Sequence, residues 1–334
     1  MNVWNHLRKD PWALTGAIVV LVFVLAAVFA PLMTGINDQN PYSYHLGALD
    51  DNGSPKGWGG GISWQHWFGV EPLTGRDLFS IVVYGGRVSI TVGVLATVIS
   101  VAIGVLVGLT AGYFGGWYDR IMSRVVDVML GFPSLIFMIS LTAIVAASFP
   151  RPVLMVLIIG FFGWPAVARV VRGQVLSLRQ RTFVVASEAM GAGSNHVLWR
   201  QLLPNVGSTI IVYATILIPS MIGTEAALSF LGVGVPPPTP SWGRTIGNAI
   251  AWFSTDPFYL IFPGAALFLI TLGFNAFGDG LRDALDPRVN RRRSRGRRGS
   301  SGGRGSGPTE GQPLETDGVA AQEHPPTPSP EVAG

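Results

Sequence analysis

The side chains that most often carry chemistry are sparse in this sequence. There is no cysteine, which excludes disulfides, thiol nucleophiles and cysteine-ligated metals. The five histidines stand apart, and no two of them are three or four residues from each other: His6, His45, His66, His196 and His324. A protein metal site is therefore not expected.

Phosphate-binding and nucleophile motifs are missing as well. A P-loop requires glycine, lysine and serine or threonine in succession, and neither Lys9 nor Lys56, the only lysines, follows a glycine. Residues 299–303 match the G-x-S-x-G hydrolase pattern, but no strand or helix is predicted around them. With no nucleophile–base pair either, the sequence predicts a non-catalytic chain that binds no cofactor itself.

One polar segment, FVVASEAMGAGSNHVLWRQLLPN (183–205), lies between two long apolar segments. Its pattern predicts a helix over 182–190, a break at the following glycines, and a second helix over 195–203 with Ser194 as its N-cap. Pro204 should then stop or kink the chain. The segment is therefore predicted to form an elbow of two short helices outside the membrane.

The second helix of this elbow carries an apolar stripe of Val197, Leu198 and Leu202. An exposed apolar patch with arginine around it is typical of a docking site for another protein. An amphipathic connector that lies on the bilayer would have the same pattern. From the residues alone, both interpretations remain open.

The rest of the chain has the composition of a membrane protein. The full sequence is 49% hydrophobic and 13% charged, whereas soluble domains carry about 25% charged residues. A membrane-crossing helix needs about 20 mostly apolar residues. Six intervals without charge fit this length: 13–33, 88–112, 128–150, 152–168, 201–224 and 257–278.

The basic residues predict the orientation of these spans. With the N-terminus inside, 18 of the 23 lysines and arginines fall in cytoplasmic segments, as the positive-inside rule requires. The first apolar run is longer than the core of a signal peptide, about 7–15 residues, so we expect it to be retained. Residues 76–87, before the second span, are predicted to form a short interfacial helix.

Two features inside the spans are candidates for packing or function. Gly104, Gly108 and Gly112 form a tandem G-x-x-x-G face, which packs either within the chain or on a partner subunit. Glu225 lies near the outer end of the fifth span, where a carboxylate is costly unless it is paired or hydrated. It is expected either to be held by Arg244 or backbone amides, or to face a vestibule and meet an amino group of a solute.

The elbow resembles the EAA loop of ABC-transporter permeases, in which twelve residues separate a glycine from a proline, as they separate Gly191 from Pro204. Further runs are similar to the C-type partner of the dipeptide and oligopeptide permease subfamily: 75–93, 112–133, 164–178, 225–243, 263–264 and 274–288. Nickel permeases share these runs, so the resemblance does not fix the substrate. Because the run at 225–243 is a subfamily signature whatever the substrate, a structural role for Glu225 is favoured.

The resemblance implies a coupling loop over 173–205 that docks in a cleft of an ATPase subunit. Its marked positions are Ala186, Ser187, Glu188, Gly191, Leu203 and Pro204. The acid of the family motif falls on Val185, an apolar residue. Glu188 lies one helical turn further along, and either it replaces the missing charge or the charge is not needed.

The expected fold is an all-α integral membrane protein with six transmembrane helices, of the type I ABC importer permease fold. Its expected parts are 1–34 (cytoplasmic N-terminus and first span), 35–87 (extracytoplasmic loop), 88–289 (permease core) and 290–334 (a disordered cytoplasmic tail). The tail is basic and then rich in proline and glycine, so it cannot bury a core. Its arginines are expected to lie against anionic lipid rather than nucleic acid.

The function implied is that of one membrane subunit of a binding-protein-dependent importer for dipeptides or oligopeptides in the inner (plasma) membrane. The implied partners are a second permease subunit, ATP-binding subunits that hold ATP and magnesium, an extracytoplasmic peptide-binding protein and the lipid membrane. Import of nickel or another small solute is the alternative within the family. A secondary transporter is the alternative outside it, although such proteins usually carry ionisable residues at the midplane and inverted repeats.

Overall fold

The computed structural model describes residue 8, residues 10–146 and residues 148–285. Residues 10–285 belong to one compact unit, Met1–Pro287. The tail predicted for 290–334 lies outside the described residues. The α-helices of the described chain are α1 (Pro11–Val28), α2 (Ala30–Gly35), α3 (Leu78–Phe114), α4 (Gly116–Gly131), α5 (Ser134–Ile144), α6 (Arg151–Arg179), α7 (Thr182–Ala189), α8 (Ser194–His196), α9 (Leu203–Phe230), α10 (Trp242–Ala249) and α11 (Phe258–Leu285).

Five helical segments of the described chain are long and apolar enough to cross a membrane: α1, α3, α6, α9 with the turns before it, and α11. The predicted third span, 128–150, is not one straight helix, because α4 and α5 meet at an angle of 84°. The break falls at Phe132, which is extended with a ψ of 142°. The ring of Pro133 disfavours helical backbone at the residue before it. Six spans result only when this bent pair is counted as one.

The second span is longer than the sequence predicted. α3 begins at Leu78, ten residues before the charge-free interval, and runs for 37 residues. Asp77 caps it, since its Oδ2 accepts hydrogen bonds from the backbone amide of Ser80 at 2.8 Å and from the Ser80 hydroxyl at 2.6 Å. Arg87 therefore lies inside a helix and not in a loop.

The interfacial helix predicted for 76–87 is wrong. Leu78 and Ile81 are 1% exposed and lie in a cluster with Trp242. The indole of Trp242 donates a hydrogen bond to the carbonyl of Val82 at 2.7 Å. The apolar face that suggested a membrane surface is covered by α10, which the local pattern could not reveal.

Close contact between α3 and α6 holds the centre of the chain together. Three glycines of α3 face three valines of α6 at the same four-residue interval: Gly104, Gly108 and Gly112 against Val167, Val171 and Val175. A Cβ on Gly108 would lie 2.8 Å from the carbonyl oxygen of Ala168 and 2.8 Å from the Cβ of Val171. The tandem motif therefore packs within the chain, and α6 occupies the face that a partner permease would need.

We expect Gly108→Val to destabilise the chain by about 1–3 kcal/mol, because the added methyl groups would force α3 and α6 apart. Gly173→Val in α6 is the matched control, since a Cβ there meets nothing within 4 Å. Thermal unfolding of the two purified variants in detergent measures the difference. Equal unfolding temperatures would contradict the close contact between these helices.

Candidate functional site

The predicted coupling loop folds into an elbow, residues 182–202, made of α7, a tight turn, α8 and a π-helical turn (Val197–Leu202). In the tight turn, Gly191 has a φ of +87°, and a Cβ built on it meets nothing within 4 Å. Its backbone conformation, and not lack of space, therefore requires glycine. The amide of Gly191 donates to the carbonyl of Glu188 at 2.9 Å, and that of Ala192 to the carbonyl of Ser187 at 3.0 Å. These two bonds form a Schellman C-cap on α7.

The second half of the elbow differs from the prediction in two details. Gly193 is the N-cap of α8, and Ser194 is its first residue. Pro204 does not stop the helix, because the chain passes through the π-helical turn directly into α9 and continues to Phe230. Pro204 lies in the first turn of α9, where a missing amide leaves no hydrogen bond unmade. The elbow is therefore continuous with a membrane span.

The apolar stripe predicted to be exposed is buried. Val197, Leu198 and Leu202 are 0%, 7% and 0% exposed. They pack in a cluster with buried residues of α3, α6 and α7, namely Val105, Leu109, Tyr113, Val171, Val175 and Val184. The interpretation of this stripe as a docking surface is therefore wrong, because it anchors the elbow to its own long helices.

A different set of apolar side chains of the elbow is exposed. The exposed fractions are 44% for Phe183, 53% for Val185, 83% for Met190 and 46% for Trp199. We call these four residues the elbow face. The sequence gives no local signal for them, because which side of α7 is covered follows only from the burial of Val184 and Ser187 in the structure.

The loop positions predicted from the sequence differ in their exposure. Ser187 is buried, and its hydroxyl accepts a hydrogen bond from Nε2 of Gln201 at 2.5 Å, which ties α7 to the π-helical turn. Ala186, Glu188 and Pro204 are exposed, and Leu203 is half-buried. Val185 and Glu188 are both exposed on α7, so a charge at Glu188 would face the same surroundings as the acid of the family motif.

Two ion pairs join α4 to α6 at the end of the spans near the elbow. Asp119 accepts two hydrogen bonds from the guanidinium of Arg172, and Asp127 pairs with Arg169 at 2.5 Å. Asp127 and Arg169 are 53% and 56% exposed, so this pair contributes about 0–1 kcal/mol. Within the described ranges, no group of three or more histidine, aspartate or glutamate side chains is placed to hold a metal ion.

Glu225 lies at the other end of α9, and its side chain is fully buried. Three serine hydroxyls donate hydrogen bonds to its carboxylate: Ser89 of α3 at 2.6 Å, Ser229 at 2.7 Å, and Ser241 before α10 at 3.0 Å. Neither of the expected partners is used, since Arg244 donates to the carbonyl of Val235 instead. The carboxylate thus joins α3, α9 and the start of α10.

Comparison with known proteins identifies the family. Residues 104–291, more than half of the chain, match the binding-protein-dependent transport system inner membrane component family, and residues 1–53 match the N-terminal TM domain of oligopeptide transport permease C. The glutathione transport system permease protein GsiD of Shigella flexneri serotype 5b is 41% identical over 286 residues, 86% of this chain and 89% of that protein. GsiD of Escherichia coli O6:K15:H31 is 40% identical over the same shares.

A solved structure of the MetNI methionine ABC transporter, in an inward-facing conformation, is similar at a TM-score of 0.47 and 21% identity. It covers 63% of this chain, and the match includes 98% of that one. The family matches and the GsiD relatives agree with the all-helical, multi-span fold described above. The chain therefore belongs to the permease subunits of binding-protein-dependent ABC importers, within the peptide and oligopeptide subfamily.

Proposed function

We propose that this chain forms one half of the translocation pathway of an importer for short peptides, and that the elbow face binds a cytoplasmic ATPase subunit. The observation that carries this proposal is the elbow face itself. It exposes four large apolar side chains of a short helix pair, whose buried side chains are packed on α3 and α6. Because the elbow continues into α9 without a break, a push on the elbow face would move a membrane span directly.

The orientation and partners follow from the same proposal. The excess of arginine and lysine on the predicted inner side supports a cytoplasmic elbow and cytoplasmic termini. ATP and magnesium would then be held by the ATPase subunits, since this sequence has no P-loop. A second permease subunit would complete the pathway, and an extracytoplasmic binding protein would deliver the solute.

The substrate class is proposed from sequence similarity of two kinds. The runs at 75–93 and 225–243 resemble dipeptide and oligopeptide permeases, and the curated relatives at about 40% identity are named for glutathione, which is a tripeptide. Both point to short peptides. Transport of a labelled tripeptide into vesicles that contain the complete importer tests this assignment.

We further propose a structural role for Glu225. Its carboxylate is saturated by three hydroxyl donors and has no exposed surface with which to meet a solute. A fully hydrogen-bonded buried carboxylate fixes the relative positions of the elements that supply its donors. Here those elements are α3, α9 and the start of α10.

Gly191→Val should uncouple the subunits. A β-branched residue at positive φ costs about 1–3 kcal/mol, so the turn would change and the elbow face would be misaimed while the spans still insert. Substrate-stimulated ATP hydrolysis by the assembled complex should fall strongly. Gly193→Val is the matched control, because Gly193 has a φ of −70° and also has free space around it. Normal stimulation in a stably assembled Gly191→Val complex would contradict the coupling role.

Met190→Asp tests the elbow face without disturbing the turn. Met190 is 83% exposed, so the fold should tolerate the change, but a charge in an apolar interface should weaken ATPase binding about tenfold, or about 1.4 kcal/mol. Met190→Leu, which keeps volume and polarity, is the control. The amount of ATPase subunit that co-purifies with the permease measures the effect. Equal recovery of the ATPase subunit with both variants would show that Met190 is not part of the interface.

Glu225→Gln should lower the free energy of unfolding by about 1–3 kcal/mol, because an amide cannot accept hydrogen bonds from all three serine hydroxyls. The exposed Glu188→Gln serves as the control for loss of one negative charge. Thermal unfolding and competition between acidic, neutral and basic peptides for uptake are both measured. A variant of unchanged stability with an altered preference for peptide charge would favour the vestibule role over the structural one.

A further inference from the structure

A cavity of about 510 Å³ opens between the first loop, α10 and the start of α11. Its walls include two arginines, one carboxylate and three aromatic side chains: Arg76, Arg244, Glu71, Tyr44, Trp252 and Tyr259. It is distinct from the elbow and from the hydroxyl pocket of Glu225. Its volume lies in the range of small-molecule sites, about 300–1,000 Å³.

One of the two arginines, Arg76, is held by hydrogen bonds within the protein. Nε of Arg76 donates to Glu71 at 2.7 Å, and its Nη1 donates to the carbonyl of Pro238 at 3.1 Å. The carboxylate of Glu71 also accepts hydrogen bonds from Thr74 at 2.6 Å and from Tyr259 at 2.7 Å. Burial lowers the pKa of Arg76, but the hydrogen bond and negative charge of Glu71 outweigh it and the pKa is raised. Glu71 is therefore fully used in neutralising Arg76.

The other arginine has no counter-ion. Among the residues that the structure describes, Arg244 makes no ion pair, and its hydrogen bond is the one from Nη1 to the carbonyl of Val235 at 3.0 Å. Burial and the positive charge of Arg76 lower the pKa of Arg244, and together they outweigh the opposite effect of the negative charge of Glu71. A guanidinium carries five donors, so most of those of Arg244 are free for a ligand. The cavity holds one unneutralised positive charge.

We propose that Arg244 binds the C-terminal carboxylate of a short peptide in this cavity, which rests on the proposed function as a peptide importer. A planar guanidinium binds a carboxylate through two parallel hydrogen bonds, stronger than neutral ones. Tyr44 and Trp252 supply aromatic walls against which the peptide side chains can pack. The cavity accommodates a dipeptide or tripeptide and recognises its C-terminal carboxylate, which all unmodified peptides carry.

The test measures binding of trialanine and of trialanine amide to the complete membrane complex in nanodiscs, without ATP and without the binding protein. The original complex should bind trialanine at least about tenfold more tightly than the amide, which lacks the carboxylate. Arg244→Gln should abolish this preference, and Arg244→Lys should restore part of it because it keeps the charge. Arg151→Gln is the matched control, since Arg151 is also half-buried and donates one hydrogen bond to a carbonyl, that of Thr142 at 2.8 Å.

Equal affinity for acid and amide in the original complex would overturn the site, as would an unchanged preference in Arg244→Gln. If the Arg244→Gln complex fails to assemble, the preference of the Arg244→Lys complex for trialanine over its amide is compared with that of the original complex instead.

A second experiment measures the affinity of the binding protein for the complex. Loss of that affinity in Arg244→Gln, with trialanine binding intact, would assign the carboxylate to the binding protein and overturn the proposal. Uptake of labelled tripeptide by the original complex separates failure of this site from failure of the importer assignment.

Discussion

The close approach of α3 and α6 is the contact on which the other features depend. Lipid tails are as apolar as the helices, so burial of apolar surface does not drive helices together inside a membrane, and tight van der Waals packing must do so. Glycines at four-residue intervals on α3 let the backbone of α6 approach to the distance at which a Cβ would collide. Both helices continue beyond this contact and form the surface on which the elbow packs.

One apolar cluster anchors the elbow to two long helices, and this anchoring supports the coupling role proposed for it. Its inward side chains, Val184, Val197 and Leu202, are buried against the cytoplasm-facing ends predicted for α3 and α6. This anchoring leaves the opposite side chains exposed and holds them in a fixed direction. Since the elbow also continues into α9, a displacement of its exposed face would be passed to a span and not absorbed by a loose linker.

At the end of the spans away from the elbow, two buried carboxylates are stabilised in different ways. Glu225, inside the helix bundle, is satisfied by three hydroxyls and brings no second charge into the bundle. Glu71, in the first loop, is paired with Arg76 and hydrogen-bonded to Tyr259. A buried ion is tolerated only when its hydrogen bonds are made. Arg244, beside the second network, has no such counter-charge, and this difference gives the neighbouring cavity its positive potential.

The sequence by itself determined the class of the protein, five of its spans and the turn at Gly191, because these depend on local composition, on length and on one residue's backbone freedom. Only the tertiary structure decided which side of each helix faces its neighbours. Val197, Leu198 and Leu202 form an apolar stripe whether they are covered or exposed, and α3 and α6 cover them. In the same way, residues 78–87 are part of α3 and lie under Trp242, and Glu225 is bonded to serines rather than to Arg244. These contacts join residues far apart in the chain, and no local pattern specifies them.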